Sequence, residues 1–264
     1  MSAAFVGSIP AVYDRHLGPV LFEPYAIDLA GRLPATARHV LEVAAGTGRV
    51  TRHLLARMPG DGALVASDLN AAMLARAREQ IEDPRVSWQV ADAQALPFED
   101  GRFDAVVCQF GLMFVPDQAL ALRELARVLR PGGMILLSTW DQLARNGATQ
   151  LAHELAVAAF PVDPPLFYLT PFSLDDPAIV CDLLAAAGFV AVHTETVAIA
   201  GECESAASLA TGLVQGNPFH AQLLERGLDP AAFEHHLAEG LAKFGDRPCR
   251  SPMSAHVYVA KLPG

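Results

Sequence analysis

Between His39 and Leu54 the chain runs through Val40, Leu41 and Val43, then Ala45-Gly46-Thr47-Gly48, then Val50 to Leu55. This reads as a short buried strand, a tight turn, and a helix predicted over 50–58. A strand that turns through glycine into a helix brings its bare backbone, and the unpaired amides of the helix start, to one point. That geometry suits a nucleotide-type ligand and requires an α/β architecture. The dinucleotide pattern G-x-G-x-x-G fails here, because Thr51 stands where its third glycine belongs. Ahead of the turn stands an acid, Glu42, and Ala44 occupies the place of a first glycine. A methyl group there is compatible with the turn if its backbone keeps a negative φ.

Downstream the pattern alternates. A second strand over 63–68 ends in Asp68, a helix over 71–81 has Asn70 as its N-cap, and a third strand over 86–90 leads to Asp92-Ala93. Strands and helices alternating at this spacing imply right-handed βαβ units and a parallel sheet, whose ligands bind beyond the carboxyl ends of the strands. Asp68 and Asp92 both arrive at that mouth, with Asp68 placed to accept ribose hydroxyls. A nicotinamide-binding domain has no standing need for the second acid. A fourth strand over 103–108 opens into Gln109-Phe110-Gly111. Asp117 caps a helix whose Leu122, Leu125 and Leu129 share a face. Arg130-Pro131-Gly132-Gly133 stops that helix before a fifth strand over 134–138.

The order of these motifs resembles class I S-adenosylmethionine (SAM) dependent methyltransferases over about residues 36–141, specifically the type 11 family near the ubiquinone/menaquinone enzymes. The quoted residues are the acid and glycine turn, Asp68, Asp92-Ala93, Leu96-Pro97-Phe98 with Phe103-Asp104, and Leu129-Arg130-Pro131-Gly132-Gly133. The resemblance implies a Rossmann-like fold with a seven-stranded, mostly parallel sheet, an antiparallel last strand and helical cap insertions. It implies S-adenosyl-L-methionine as cofactor, held by Tyr13, Glu42, Ala44, Gly46, Gly48, Asp68, Leu69, Met73, Asp92, Ala93, Gln109 and Phe110. In this family a Tyr-Asp pair near the N-terminus folds over the cofactor, and Tyr13-Asp14 is similar to it. An acid after the third strand faces the adenine amino group, as Asp92 would.

One domain is expected over 1–264, with an N-terminal helical arm at 1–35, a cofactor-binding core at 36–141, and cap insertions at 145–175 and 203–250. The last two strands, over 190–199 and 255–262, pair as antiparallel edge partners, and helices over 205–213 and 231–244 lie between them. Arm and cap are expected to close over the methyl group, with Phe110 and Met113 as floor. Loss of residues 1–15 is expected to leave the core folded.

Composition narrows the partners. A net charge of −10 without a basic cluster disfavours nucleic acid, leaving a small-molecule acceptor. No apolar run approaches the roughly 20 residues of a membrane helix. Pro10, Asp14 and Arg15 interrupt any signal peptide, so a soluble cytoplasmic protein is expected. The four cysteines are scattered and read as reduced packing residues.

Several sharper patterns fail. Asp163-Pro164-Pro165-Leu166 is similar to the motif of DNA amino-methyltransferases but lies far from the fourth strand, where that motif belongs. His153-Glu154 lacks the second histidine of a zinc site, since Val157 stands there, and His235-His236 are adjacent on a helix. No metal is expected. His16, Asp141, His153 and His220 are candidate general bases by region only. Two rival functions are carried: a SAM-binding protein without transferase activity, and a nicotinamide oxidoreductase.

Overall fold

The computed structural model describes Gly7 and residues 9–264. The expectation for the start of the arm, residues 1–6 and 8, lies outside the described residues. In chain order the helices are α1 (Ile9–Val12), α2 (Glu23–Gly31), α3 (Arg49–Arg57), α4 (Ala71–Arg78), α5 (Gln118–Val128), α6 (Gly147–Ala159), α7 (Pro177–Ala186), α8 (Ala206–Gln215), α9 (Phe219–Glu225) and α10 (Pro230–Leu241). The strands are β1 (His39–Val43), β2 (Ala63–Asp68), β3 (Val86–Val90), β4 (Phe103–Gln109), β5 (Leu129–Trp140), β6 (Val190–Cys203) and β7 (Cys249–Lys261).

They form one sheet in the order β3-β2-β1-β4-β5-β7-β6. β1 to β5 are parallel, and β7 runs antiparallel to both β5 and β6. The chain starts at β1, steps outward to β3, then returns to place β4 on the other side of β1. The carboxyl ends of β1 and β4 therefore flank a topological switch point, where an open α/β sheet leaves a crevice.

Alternation along the strands decides which side chains face which layer. Val40, Val107 and Leu136 pack with Leu29 of α2 and Leu54 of α3 on one face. Their neighbours Leu41, Val106 and Leu137 pack with Leu122 and Leu125 of α5 on the other. Side-chain caps fix several helix starts: Asn70 accepts from the amides of Ala72 and Met73, Asp117 from Leu120, Asp176 from Ala178, Ser205 from Ser208 and Asp229 from Ala231.

The expected helical arm is one continuous run, in which α1 passes through a π-helical stretch, Tyr13–Phe22, directly into α2, and two elements differ from expectation. β5 begins at Leu129, and the Arg-Pro-Gly-Gly turn is an irregularity between the pairs Phe103–Leu129 and Ala105–Met134. α9 has no expected counterpart. Its first amide, that of Phe219, donates to the Asn217 side chain at 2.9 Å. Among the described residues no helix is long and apolar enough to cross a membrane.

Candidate active site

At the end of β1 the chain enters the left-handed region at Ala44 (φ 56°), against the expectation of negative φ, and does so again at Gly46 (φ 56°) and Gly48 (φ 82°). Ala44 bears this because Gly111 opposite offers no side chain to its methyl group. A left-handed conformation costs a non-glycine residue roughly 1–2 kcal/mol. The two glycines serve different ends. A Cβ on Gly46 meets only the Met73 Cε at 3.7 Å, so its surroundings are open toward the crevice. A Cβ on Gly48 lies 2.6 Å from Cδ1 of Ile81, so that glycine admits a packing contact and does not face a ligand.

Glu42 likewise lies beneath the turn. It is 1% exposed, and Thr51 Oγ1 donates to its Oε2 at 2.6 Å. Burial, reinforced by the nearby Asp68 and only partly opposed by the Thr51 bond, pushes its carboxyl up to about 8. Thr51, the residue that broke the dinucleotide pattern, thus has a structural reason for its place.

A cleft of about 310 Å³ opens at the switch point. Ten of the sequence-predicted residues line it: Tyr13, Ala44, Gly46, Asp68, Leu69, Met73, Asp92, Ala93, Gln109 and Phe110. Glu42 and Gly48 do not. Asp68 is more committed than its sequence role implied. Its Oδ2 accepts from the Gly46 amide at 2.8 Å and its Oδ1 from the Asn70 amide at 2.8 Å, so it ties the glycine turn to the end of β2. Burial raises its carboxyl, while those amide bonds pull the other way. A carboxylate has about four lone-pair sites, which leaves capacity for hydroxyl donors from the cleft. Asp92 accepts from the Gln94 amide at 2.9 Å. Gln109 donates through Nε2 to the Phe22 carbonyl at 3.1 Å, and its buried Oε1 has no partner among the described residues.

The arm is fastened to the turn by Asp14, a role that only its place beside Tyr13 hinted at. Asp14 is 3% exposed and accepts from Thr47 Oγ1 (3.2 Å), Arg49 Nη2 (2.7 Å), Arg76 Nε (3.3 Å) and Gln80 Nε2 (2.7 Å). Burial alone raises such a group. The Arg49 charge and the bonds from Gln80, Arg49 and Thr47 outweigh it and hold Asp14 below the usual carboxylate range. Residues 1–15 therefore include part of the turn's own support and are more than a cover. Tyr13 is carried along, and burial, then the charge of Asp68, keeps its phenol protonated.

Beyond Tyr13, Phe110 and Phe114, which line both spaces, lies a second chamber of about 100 Å³. Its walls are aromatic. Phe110, itself at φ 51°, stacks flat on Trp140 with ring centroids 3.8 Å apart and planes 3° apart. Phe22, Phe167, Tyr168 and Phe172 complete it with Leu213 of α8. Met113, the expected floor, is buried in the core, and Leu112 and Phe114 of the same short turn line the cleft instead. None of the four candidate bases lines either space. His16 bonds Ser208 (2.9 Å), Asp141 accepts from Ser254 (2.7 Å), and His153 and His220 each have a buried Nδ1 without a partner among the described residues.

Residues 40–133 match the family described as a methyltransferase domain. The ubiquinone/menaquinone biosynthesis C-methyltransferase UbiE of Idiomarina loihiensis is 39% identical over 121 residues, which are 44% of this chain and 47% of that protein. The chain thus spans about half the length of the curated relatives it matches. In solved structures the fold recurs in a type II methyltransferase of Anaeromyxobacter dehalogenans, at TM-score 0.64 and 19% identity over 93% of this chain and 99% of that one. It recurs also in phosphoethanolamine N-methyltransferase 2 of Haemonchus contortus, in complex with phosphomonomethylethanolamine and S-adenosylhomocysteine, at TM-score 0.62 and 16% identity over 97% of this chain and 57% of that one. The glycine turn and the two strand-end acids, Asp68 and Asp92, all lie within the stretch that matches the methyltransferase domain family.

Proposed function

We propose that this protein transfers the methyl group of S-adenosylmethionine to an O, N or C nucleophile of a small molecule, in the cytoplasm. The observation that carries the reading is the placement of Asp68 and Asp92 at successive strand ends around a cleft that opens at Tyr13, Phe110 and Phe114 onto an aromatic chamber. Two local features support the fit to the cofactor: the open face of Gly46, which a side chain would fill, and the unpartnered Gln109 Oε1.

Asp68 accepts from ribose hydroxyls with the lone pairs its amide partners leave free. Asp92 accepts from the adenine amino group, and the Ala93 amide meets the ring. Gln109 Oε1 takes a donor from the amino-acid end of the cofactor. When bound, the cofactor supplies an electrophilic methyl group on a sulfonium. Phe110 and Tyr13 present ring faces to such a cation, and the arm held by Asp14 excludes water. Alignment and water exclusion then carry most of the rate, with no covalent step by the protein.

Calorimetric titration with SAM, S-adenosylhomocysteine, NAD and NADP tests the reading. The first two are expected to bind and the last two are not, and NAD binding without SAM binding would overturn it. A SAM-binding protein without transferase activity is separated by turnover: demethylated cofactor appears with an acceptor present only if the chain is an enzyme.

A further inference from the structure

A π-helix bonds each amide to the carbonyl five residues back, and such winding is rare, mostly confined to single turns and frequent at functional sites. The arm carries ten residues of it, Tyr13–Phe22. The spacing shows at the end of the stretch, where the Glu23 amide donates to the Gly18 carbonyl. Near its start the same rule has no donor to offer. The Asp14 carbonyl is due the amide of residue 19, and Pro19 has none. Asp14 is 3% exposed, and a buried backbone carbonyl without a partner is costly.

The missing donor comes from the glycine turn. Arg49, the first residue of α3 and the neighbour of Gly48, donates through Nη2 to the Asp14 carbonyl at 2.5 Å and to Asp14 Oδ1 at 2.7 Å. Its Nη1 donates to Glu23 Oε2 at 3.2 Å, just past the other end of the stretch. Its Nε has no partner among the described residues, so the two terminal nitrogens carry its bonds. Gly18 makes the room. A Cβ on Gly18 would stand 2.5 Å from Nη2 and 2.6 Å from Cζ, so the guanidinium lies where a side chain would be. Gly18 has no positive φ, and space alone calls for glycine there.

The winding matters because it aims Tyr13. In an α-helix the Asp14 carbonyl would take the Gly18 amide instead. The stretch would then coil more tightly and turn Tyr13, at its start, away from the wall that cleft and chamber share. We propose that Arg49 is a positioning residue that stands in for the amide Pro19 lacks, holding the arm in its π winding and Tyr13 against the cleft. The methyltransferase reading supplies the consequence, weaker cofactor binding when Tyr13 moves. The winding itself does not depend on that reading. A plain ion pair with Asp14 is the rival account.

The test uses the full chain, with S-adenosylhomocysteine affinity by calorimetry and amide hydrogen exchange over residues 13–22. Arg49→Met is expected to lose about tenfold or more in affinity, as for bonds from a charged group, and to exchange faster in that stretch. Pro19→Ala, nearly silent alone, is expected to restore at least about threefold when added to Arg49→Met, because it supplies an amide and no charge. Gly18→Ala pushes the guanidinium aside without removing it. Alanine is the better helix former, yet this variant is expected to lose about tenfold in the parent and nothing further in Arg49→Met. No recovery by Pro19→Ala, or additive losses from Gly18→Ala and Arg49→Met, overturns the proposal in favour of the ion pair. If Arg49→Met does not fold, Gly18→Ala with and without Pro19→Ala makes the same comparison. If S-adenosylhomocysteine does not bind the parent, the methyltransferase reading fails, and hydrogen exchange across the same variants still decides the role of Arg49.

Discussion

The polar cleft and the aromatic chamber share Tyr13, Phe110 and Phe114, yet they are assembled in opposite ways. The cleft is built at strand ends, in fixed register, by hydrogen bonds over short distances: Asp68 to the amides of Gly46 and Asn70, Asp14 to Thr47, Arg49, Arg76 and Gln80. The chamber is built by apolar area brought from distant elements, with Trp140 at the end of β5, Phe167 and Phe172 after α6, and Leu213 on α8. Directional bonds demand particular residues at particular places. Apolar packing accepts any set of side chains that fills the volume. On the proposed function, the cleft therefore serves the cofactor and the chamber the acceptor.

The difference is sharpest at Asp14, where a single polar deletion should be felt across the whole site. Asp14→Ala leaves Arg49 without its main partner and unpins the arm. Breaking such a buried pair costs about 3–5 kcal/mol, to be read as a fall in denaturant midpoint together with weaker S-adenosylhomocysteine binding. Because the folded pKa of Asp14 is lowered, its contribution is present above the unfolded pKa and is lost as pH falls through the folded value. The variant should therefore lose part of the parent's acid sensitivity. A stable variant with intact cofactor affinity would show that the arm is only packing.

Glu42 makes the contrasting case, a buried acid with a hydroxyl partner and no cation. Its pKa is raised to about 8 by burial. The folded chain keeps this proton at pH values where the unfolded chain has lost it. Stability contributed here is complete at acid pH and declines as pH rises from about 4.5 toward 8. Glu42→Gln removes that slope, so the variant should gain on the parent by on the order of 3 kcal/mol between pH 5 and 8. Parallel stability curves for the two proteins would refute the assignment.

Gly46→Val separates ligand contact from fold. The structure leaves space around Gly46 except toward the cleft, so the fold bears the left-handed strain of a branched residue while the ligand meets a side chain. S-adenosylhomocysteine affinity should drop by about 100-fold, about 2.7 kcal/mol, while the urea midpoint falls by no more than the roughly 1–2 kcal/mol of left-handed strain. A larger loss of stability with unchanged affinity would mean that Gly46 serves the fold and not the ligand.

These contrasts explain what was legible in the sequence. The parallel core could be read because each element carries local punctuation, such as Asn70 and Asp117 as caps and the glycine turn after β1. Of the ten cleft residues, those near strand ends could be placed because strand ends converge wherever strands alternate with helices, whereas Tyr13 rested on the family resemblance alone. The reason for Gly48 was hidden because its neighbour Ile81 comes only after β2 and α4 along the chain, and the Asp14 latch because its four partners are spread from Thr47 to Gln80. Met113 was chosen over Phe114 because a single-turn 3-10 element gives no periodicity from which to read a face. The chamber had no motif at all, since Trp140, Phe167, Phe172 and Leu213 meet only through tertiary packing.

The smallest expected effect tests the one place where the cleft departs from the glycine pattern of the methyltransferases it resembles. Ala44 sits at φ 56°, and its methyl group occupies the space that Gly111 leaves open. Ala44→Gly relieves roughly 1–2 kcal/mol of left-handed strain, but it also frees the unfolded chain, which offsets about 0.4–1 kcal/mol. The net gain should be under about 1 kcal/mol, with cofactor affinity little changed. The reciprocal change is harsher. In Gly111→Ala the new Cβ collides with the Ala44 methyl and comes within 2.9 Å of Cys108 Sγ, although the backbone there, at φ −102°, accepts any residue. The double variant removes the first collision and keeps the second, so it should recover part of the loss, and a double-mutant cycle on urea midpoints reads the coupling. Additive effects would mean that the two residues do not share this space, and that something other than Gly111 holds Ala44 in its left-handed conformation.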